Sequence, residues 1–245
     1  MKILVCGKGG CGKSVVSALL AKELASRGGK VLVIDADESN FGIHRNLGVK
    51  QPRDFMDWLG GKEKVRETLF KSIQSGDWDY RILGEVSLDN LPEEFVEKRN
   101  GIAVMAIGKI HDFGEGCACP MGAVAREFLE SLKLGENEFV VVDTDAGIEH
   151  FGRSVEAGCD TIVVVIEPSY EAVKLAEKIA EMGNRLGKRV IKVANKVDDN
   201  TCGLIEADVY IRQSDEIYRA CLFGEEIPLV GDAKGLVDMI LGVRE

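Results

Sequence analysis

No stretch of this chain approaches the roughly 18 consecutive apolar residues of a membrane-spanning helix. Its longest apolar run lies near IVVVI, Ile162 to Ile166. A secretory leader is not expected, because after Met1 and Lys2 the run ILVC is cut short by GKGG. Repeats, low-complexity tracts and Pro/Ser-rich linkers are missing. So is any excess of positive charge: 31 Lys and Arg stand against 41 Asp and Glu, for a formal charge of −10. Such an acidic surface argues against nucleic acid or anionic lipid as the main partner. The seven cysteines are scattered and odd in number. They make a poor disulfide framework, so a reducing, cytoplasmic setting is expected. Of the three histidines only His111 lies near a cysteine pair, and His150 sits in a GIEH segment.

What is present reads as a single globular α/β domain over residues 1–245, with 45% hydrophobic and 29% charged residues. Short β-branched runs alternate with helical patterns. KILVC (2–6), KVLVID (30–35), IAVMAI (102–107), FVVVDT (139–144), TIVVVIE (161–167) and RVIKVAN (189–195) read as buried strands, with DVYI (208–211) as a seventh. Continuous apolar runs between helices indicate a parallel sheet covered on both faces. In 13–27, Val16, Leu19, Leu20 and Leu24 form one apolar stripe, and 169–186 repeats the pattern. Pro120 reads as the first position of another helix, followed by Val124, Phe128, Leu129 and Leu132. Residues 41–100 read as helical excursions between strands. The expectation is a doubly wound, mostly parallel sheet of about seven strands.

GKGGCGKS, Gly7 to Ser14, fits G-x-x-x-x-G-K-[ST] between a predicted strand and a predicted helix. The backbone N–H groups of Gly9, Gly10, Cys11 and Gly12 can turn inward around phosphate oxygens, the glycines without Cβ clashes. The helix start adds its positive end. Lys13 brings a point charge to the outer phosphates, and Ser14 a hydroxyl for Mg²⁺. Acidic residues follow at two strand ends, where open α/β sheets bind ligands. These are Asp35 and Asp37 in DADESN, and Asp143 and Asp145 in DTDAG, which ends at Gly147. A carboxylate there can hold Mg²⁺ directly or through water. The blander alternative is a helix cap or a turn aspartate.

With Lys8, the loop K-G-G-x-G-K-[ST] resembles the variant P-loop of the MinD/ParA/nitrogenase-iron-protein group. That resemblance implies a homodimer in which Lys8 reaches the partner's nucleotide, in the manner of an arginine finger. It implies that Asp37 orients the attacking water and Asp143 serves the metal. It also implies that Asn195 touches the purine edge, with ATP as the nucleotide. Asn195 opens NKVD, however, which also looks like the guanine-reading N-K-x-D of GTPases, so GTP stands as the alternative.

GEGCACP, Gly114 to Pro120, holds Cys117 and Cys119 one residue apart. Extended residues i and i+2 lie about 6.6 Å apart, the outer edge of disulfide geometry. Metal is a second option. Two thiolates fill half of a tetrahedral zinc sphere, and a two-fold dimer would supply the rest. A helix start after Cys119 would lower the thiol pKa. Two small apolar fillers are the third option. GEGCACP, DTDAGIEHFGR (143–153) and EPS (167–169) together resemble the CooC family of nickel-insertion ATPases of carbon monoxide dehydrogenase maturation. Asp145 stands where a glutamate is common in that family. The resemblance runs from Lys2 to about Gly231 and implies Ni²⁺ or Zn²⁺ on Cys117 and Cys119 at a homodimer interface, delivered to carbon monoxide dehydrogenase or a related nickel enzyme. Two other functions compete. An iron–sulfur carrier or reductase could use four interface cysteines for a cluster. A MinD- or ParA-like positioning ATPase would need a basic lipid-binding tail or a basic DNA-binding face, which this chain lacks.

Overall fold

Side chains alternate across a strand, so a strand covered on both faces must be apolar at every position. The inner strands of this chain meet that demand. The computed structural model describes residues 1–75, 82–111, 119–147 and 154–243. In chain order the elements are β1 (Lys2–Gly7), α1 (Lys13–Ser26), β2 (Lys30–Asp35), α2 (Ile43–Asn46), α3 (Phe55–Trp58), α4 (Lys62–Ser75), β3 (Val86–Ser87), β4 (Glu97–Arg99), β5 (Ile102–Ala106), α5 (Cys119–Ser131), β6 (Leu132–Lys133), β7 (Glu138–Asp143), β8 (Thr161–Ile166), α6 (Tyr170–Arg185), β9 (Arg189–Val197), β10 (Val209–Arg212), α7 (Asp215–Phe223) and α8 (Asp232–Leu241). Single 3₁₀ turns lie at Glu93–Phe95 and Val155–Gly158.

Eight strands form the main sheet among the described residues, in the order β10-β9-β8-β1-β7-β2-β5-β4. All its pairs are parallel except β4 with β5. One face carries Leu4, Ile34, Val142 and Val164, packed under Phe128 and Leu129 of α5 and Ala176 and Ile179 of α6. The other carries Val5, Val33, Val141 and Val163, packed under Leu19, Leu20 and Leu24 of α1 and Leu236 and Ile240 of α8. Each fully buried leucine contributes on the order of 2 kcal/mol by leaving water. The sheet thus has the doubly wound, mostly parallel form expected, with one strand more than the sequence suggested.

The extra strand is β4. Asn100 and Gly101 both take positive φ, 49° and 79°, the type I′ geometry that folds a two-residue hairpin. That turn returns β4 onto β5. Its residues, Glu97, Lys98 and Arg99, are charged and mostly exposed, as suits an edge strand. The rest of 41–100 is the predicted set of helical excursions, with β3 paired to β6 in a small second sheet. The two helices after β10 were not foreseen. α8 buries Ala233, Leu236, Val237 and Ile240 against the core, so this segment is a packed layer of the fold. Among the described residues no helix is long and apolar enough to cross a membrane.

The strand order places β1 between β8 and β7. The chain leaves β1 toward one edge by way of β2, and β8 and β9 build the other. This is the switch point at which ligands bind beyond the carboxyl ends of the strands. Parallel register brings Asp35 level with Asp143, and Asp143 level with Val5, so three loops meet at one end.

Candidate nucleotide site

The loop from Gly7 to Ser14 joins the central strand to α1. Gly12 is the residue before the helix, with φ 95° and ψ 28°, and no side chain caps the helix start. The first N–H groups of a helix have no partner inside it. Left uncapped by a side chain, they suit a phosphate. Lys13 is buried, and its Nζ reaches back to the Lys8 carbonyl at 3.4 Å. The Cys11 N–H bonds the same carbonyl at 3.3 Å. Cys11 itself is buried. Burial pushes its thiol up to about 11, so it is a filler here and not a reactive group.

Two cavities meet at this loop. The first, about 300 Å³, is lined by Gly10, Gly12, Lys13, Ser14, Asp37 and Asn40, among others. The second, about 440 Å³, is lined by Asn195, Lys196, Ile211, Ile217 and Tyr218, among others. Gly12, Val15 and Cys221 line both. A polar chamber at a helix N-terminus joined to a more apolar one suits a nucleoside triphosphate, with phosphates in the first and base in the second.

Asp143, at the end of β7, is 1% exposed and accepts from the Ser17 hydroxyl at 2.9 Å. Burial raises its pKa from 3.8 to about 6, against the opposing pull of the Ser14 and Ser17 hydroxyls. Asp37 Oδ1 accepts from the Ser39 N–H (2.9 Å), the Ser39 hydroxyl (2.7 Å) and the Asn40 N–H (3.1 Å). This is an Asx-type turn, and it fixes the carboxylate at the wall of the first cavity. The Asn40 amide donates to Ser14 Oγ at 3.1 Å. Ser14 and Asp37, which line the cavity, and Asp143, hydrogen-bonded to Ser14 and Ser17, offer hard oxygen donors, a set that fits Mg²⁺. A buried carboxylate whose charge is disfavoured is the group a divalent cation restores to its ionised form.

This gives a pH test. The folded chain holds the Asp143 proton more tightly than the unfolded chain does. The resulting stabilisation is complete below pH 4 and is lost as pH rises through about 6. The shift is worth on the order of 3 kcal/mol. Without Mg²⁺ the melting temperature of the native chain should therefore fall more steeply between pH 4 and 7 than that of Asp143→Asn. Mg²⁺-nucleotide should offset the fall in the native chain alone. Identical slopes for the two chains would refute this role for Asp143.

The remaining site residues fall around this frame. Gly147, with φ 85°, donates its N–H to the Gly7 carbonyl at 3.0 Å, tying the DTDAG loop to the phosphate loop. Lys8 pairs with Glu167 of its own chain, Nζ to Oε1 at 3.2 Å. Asn195 is buried, and its amide donates to the Cys11 carbonyl at 2.8 Å. Lys196 Nζ donates to the Gly10 carbonyl at 2.6 Å. Asp198 Oδ1 accepts from the Asn200 and Thr201 N–H groups and the Thr201 hydroxyl. The last residue of NKVD thus caps the next turn, while Asn195 and Lys196 line the second cavity.

Cys117 and His150 lie outside the described residues, and Cys119 is the first residue of α5. Among the described residues no group of three or more His, Cys, Asp or Glu could hold a metal. His111 Nε2 bonds Asp54 Oδ2 at 2.9 Å. Ser17, Asn40, Glu167 and Lys109 complete the site and were not singled out in the sequence. Of these only Glu167 falls in a stretch that the sequence marks, EPS at 167–169.

Known proteins resemble this chain in sequence and in fold. The family model described as ParA, NUBPL iron-transfer P-loop NTPase, matches residues 1–223. An ATP-binding protein of Methanocaldococcus jannaschii is 49% identical over 98% of this chain and 99% of its own length. The carbon monoxide dehydrogenase accessory protein CooC of Rhodospirillum rubrum is 34% identical over 80% of this chain and 74% of its own. Among solved structures, the septum site-determining protein MinD of Pyrococcus horikoshii, complexed with Mg-ADP, superposes with a TM-score of 0.69 at 17% identity. It covers 100% of this chain and 96% of its own.

Proposed function

Since the chain belongs to the ParA family of P-loop NTPases, in the branch described as NUBPL iron-transfer, we propose that it is an ATP-driven metal carrier. In this reading it is a homodimer that binds Ni²⁺ or Zn²⁺ through Cys117 and Cys119 and passes nickel to carbon monoxide dehydrogenase or a related nickel enzyme. ATP hydrolysis is the activity of the fold and loop. Lys13 and the Gly9–Gly12 amides bind the phosphates. Ser14 and Asp143 would hold Mg²⁺, which when bound neutralises charge on the outer phosphate oxygens. Asp37 orients the attacking water. Lys8 leaves Glu167 and neutralises the partner's transition state. Asn195 faces the base.

The observation that carries the reading is the bonding between the loop after β2 and the segment that leads to the cysteines. The Ile107 N–H donates to the Asp35 carbonyl at 3.0 Å, and the Ile110 N–H to the Glu38 carbonyl at 3.0 Å. Any shift of the Asp37 loop on hydrolysis is thereby passed to the approach of the C-x-C pair, and Cys119 opens α5. Identity to CooC supports nickel as the cargo.

The double variant Cys117→Ala/Cys119→Ala tests this. Nucleotide affinity should stay within about threefold, because the phosphate loop is untouched. Stoichiometric metal and metal-linked dimerisation should be lost, read by metal analysis and light scattering. A double variant that keeps its metal sinks the C-x-C assignment. The iron-transfer description of the family favours a second cargo, an iron–sulfur cluster on four cysteines across the dimer. Anaerobic purification separates the two: brown protein with iron and sulfide supports the cluster, and colourless protein that titrates with nickel supports the carrier.

A further inference from the structure

Lys109 is 1% exposed, and it lies three residues beyond β5, on the segment that leads toward the cysteines. Burying an ammonium is costly unless each of its three donors finds a partner. Here all three do. Nζ lies 2.7 Å from Asp35 Oδ2 and donates to the carbonyls of Asp37 and Asn40. The Phe41 ring centroid is 5.4 Å away and closes the outer side. The main chain at Lys109 is held as well. Its N–H donates to Asp54 Oδ2 at 2.9 Å, and its carbonyl accepts from Lys62 Nζ at 2.6 Å. The side chain is therefore a fixed peg and not a swinging arm.

The two carbonyls belong to opposite ends of one turn, residues 37 to 40. They converge on the ammonium, so the turn is wrapped around a cation. Inside it Asp37 Oδ1 holds the Ser39 and Asn40 amides. At its far end Asn40 reaches Ser14 of the phosphate loop. Removing the ammonium would leave two carbonyl oxygens facing each other in a dry space, and the turn would have to open. We propose that Lys109 is a positioning residue for ATP hydrolysis: its ammonium templates the 37–40 turn and so sets the Asp37 carboxylate against the outer phosphate. The proposal rests on the reading of Asp37 as the residue that orients the attacking water.

A purely structural role, neutralising Asp35, makes a different forecast. Lys109→Met leaves Asp35 buried without a cation, and the melting temperature falls under either role. Lys109→Met/Asp35→Asn removes both charges and should recover most of that loss. If Lys109 only neutralised Asp35, the double variant would also recover its activity. If it templates the turn, kcat stays down at least about tenfold in both variants, with the KM for ATP within about threefold. Hydrogen exchange at the Ser39 and Asn40 amides should also be faster in both. Wild-type kcat and wild-type exchange in the double variant overturn the proposal. Asp37→Asn is assayed alongside. An unchanged kcat there overturns the reading of Asp37 and with it this route, whereas unchanged exchange in the double variant overturns the role of Lys109 alone.

Discussion

Gly12→Ala should leave the chain folded and nearly unable to hold nucleotide, with the dissociation constant for Mg-ATP raised at least about 100-fold. Two effects combine at this position. The backbone has φ 95°, a region where an L side chain costs roughly 1–2 kcal/mol. A Cβ built there also lands on the Asn195 amide nitrogen. That nitrogen is the donor to the Cys11 carbonyl, so relief of the clash must break the bond between the end of β9 and the phosphate loop. Rotating the 12–13 peptide instead would turn away an N–H at the start of α1. Charge-assisted hydrogen bonds are worth about 1.5–3 kcal/mol each, and losing two already exceeds 100-fold. Gly10→Ala is the internal control. Its φ is 82°, yet a Cβ there meets nothing within 4 Å. Strain alone remains, and the loss should stay near tenfold. Titration calorimetry with melting curves separates binding from folding. A Gly12→Ala chain that binds within threefold of wild type, or a Gly10→Ala chain that is the worse of the two, contradicts this account.

The parts of the fold legible in sequence are those whose physics is local. Val31, Leu32, Val33 and Ile34 have to be apolar on both sides because helices cover both sides. That demand writes itself as an unbroken run. β4 has no such demand. It lies at the edge, its Glu97, Lys98 and Arg99 face water, and only the Asn100-Gly101 turn marked it. That dipeptide is a strong hairpin signal, but the charged strand before it carries no apolar alternation to pair with it. α8 was obscured for the opposite reason. Its apolar stripe is short and starts after a glycine without a side-chain cap, so only packing against α1 and the sheet defines it.

At the site, the loop from Gly7 to Ser14 and the strand-end aspartates could be located in the sequence because motif spacing and strand context fix their positions. Lys109 could not, since a lone lysine carries no spacing. Its significance comes from a long-range fact, the pairing of the segment after β5 with the loop after β2. The role of Glu167 is of the same kind. It belongs to the quoted EPS stretch, but nothing in the sequence links it to Lys8, which it binds across 159 positions.

That pairing frames the other large expected effect. Lys8→Ala should lower kcat by at least about 1,000-fold, the scale of an arginine finger, while Mg-ATP affinity stays within a few-fold. Within its own chain the Lys8 ammonium is engaged by Glu167, and Lys196 Nζ lies 4.0 Å from the same carboxylate. In the proposed reading the phosphate charge of a protomer is met instead by its own Lys13. If Lys8 serves the partner's nucleotide, two dead variants should repair each other. Lys8→Ala keeps Asp37, and Asp37→Ala keeps Lys8. In a mixed dimer the Lys8→Ala protomer has its own water-orienting carboxylate and receives the lysine of the other protomer. Half of randomly formed dimers are mixed and each has one complete site, so an equimolar mixture should recover about a quarter of wild-type turnover. A lysine acting on its own nucleotide gives no recovery, because each mixed dimer then has one site without Lys8 and one without Asp37. Recovery should also depend on total protein concentration, as a bimolecular association must. Glu167→Gln in the wild-type background frees the lysine, and should lower the protein concentration at which half-maximal turnover appears. Lack of recovery in the mixture, with dimers present by light scattering, would place Lys8 in its own site and remove the argument that links this loop to a dimer.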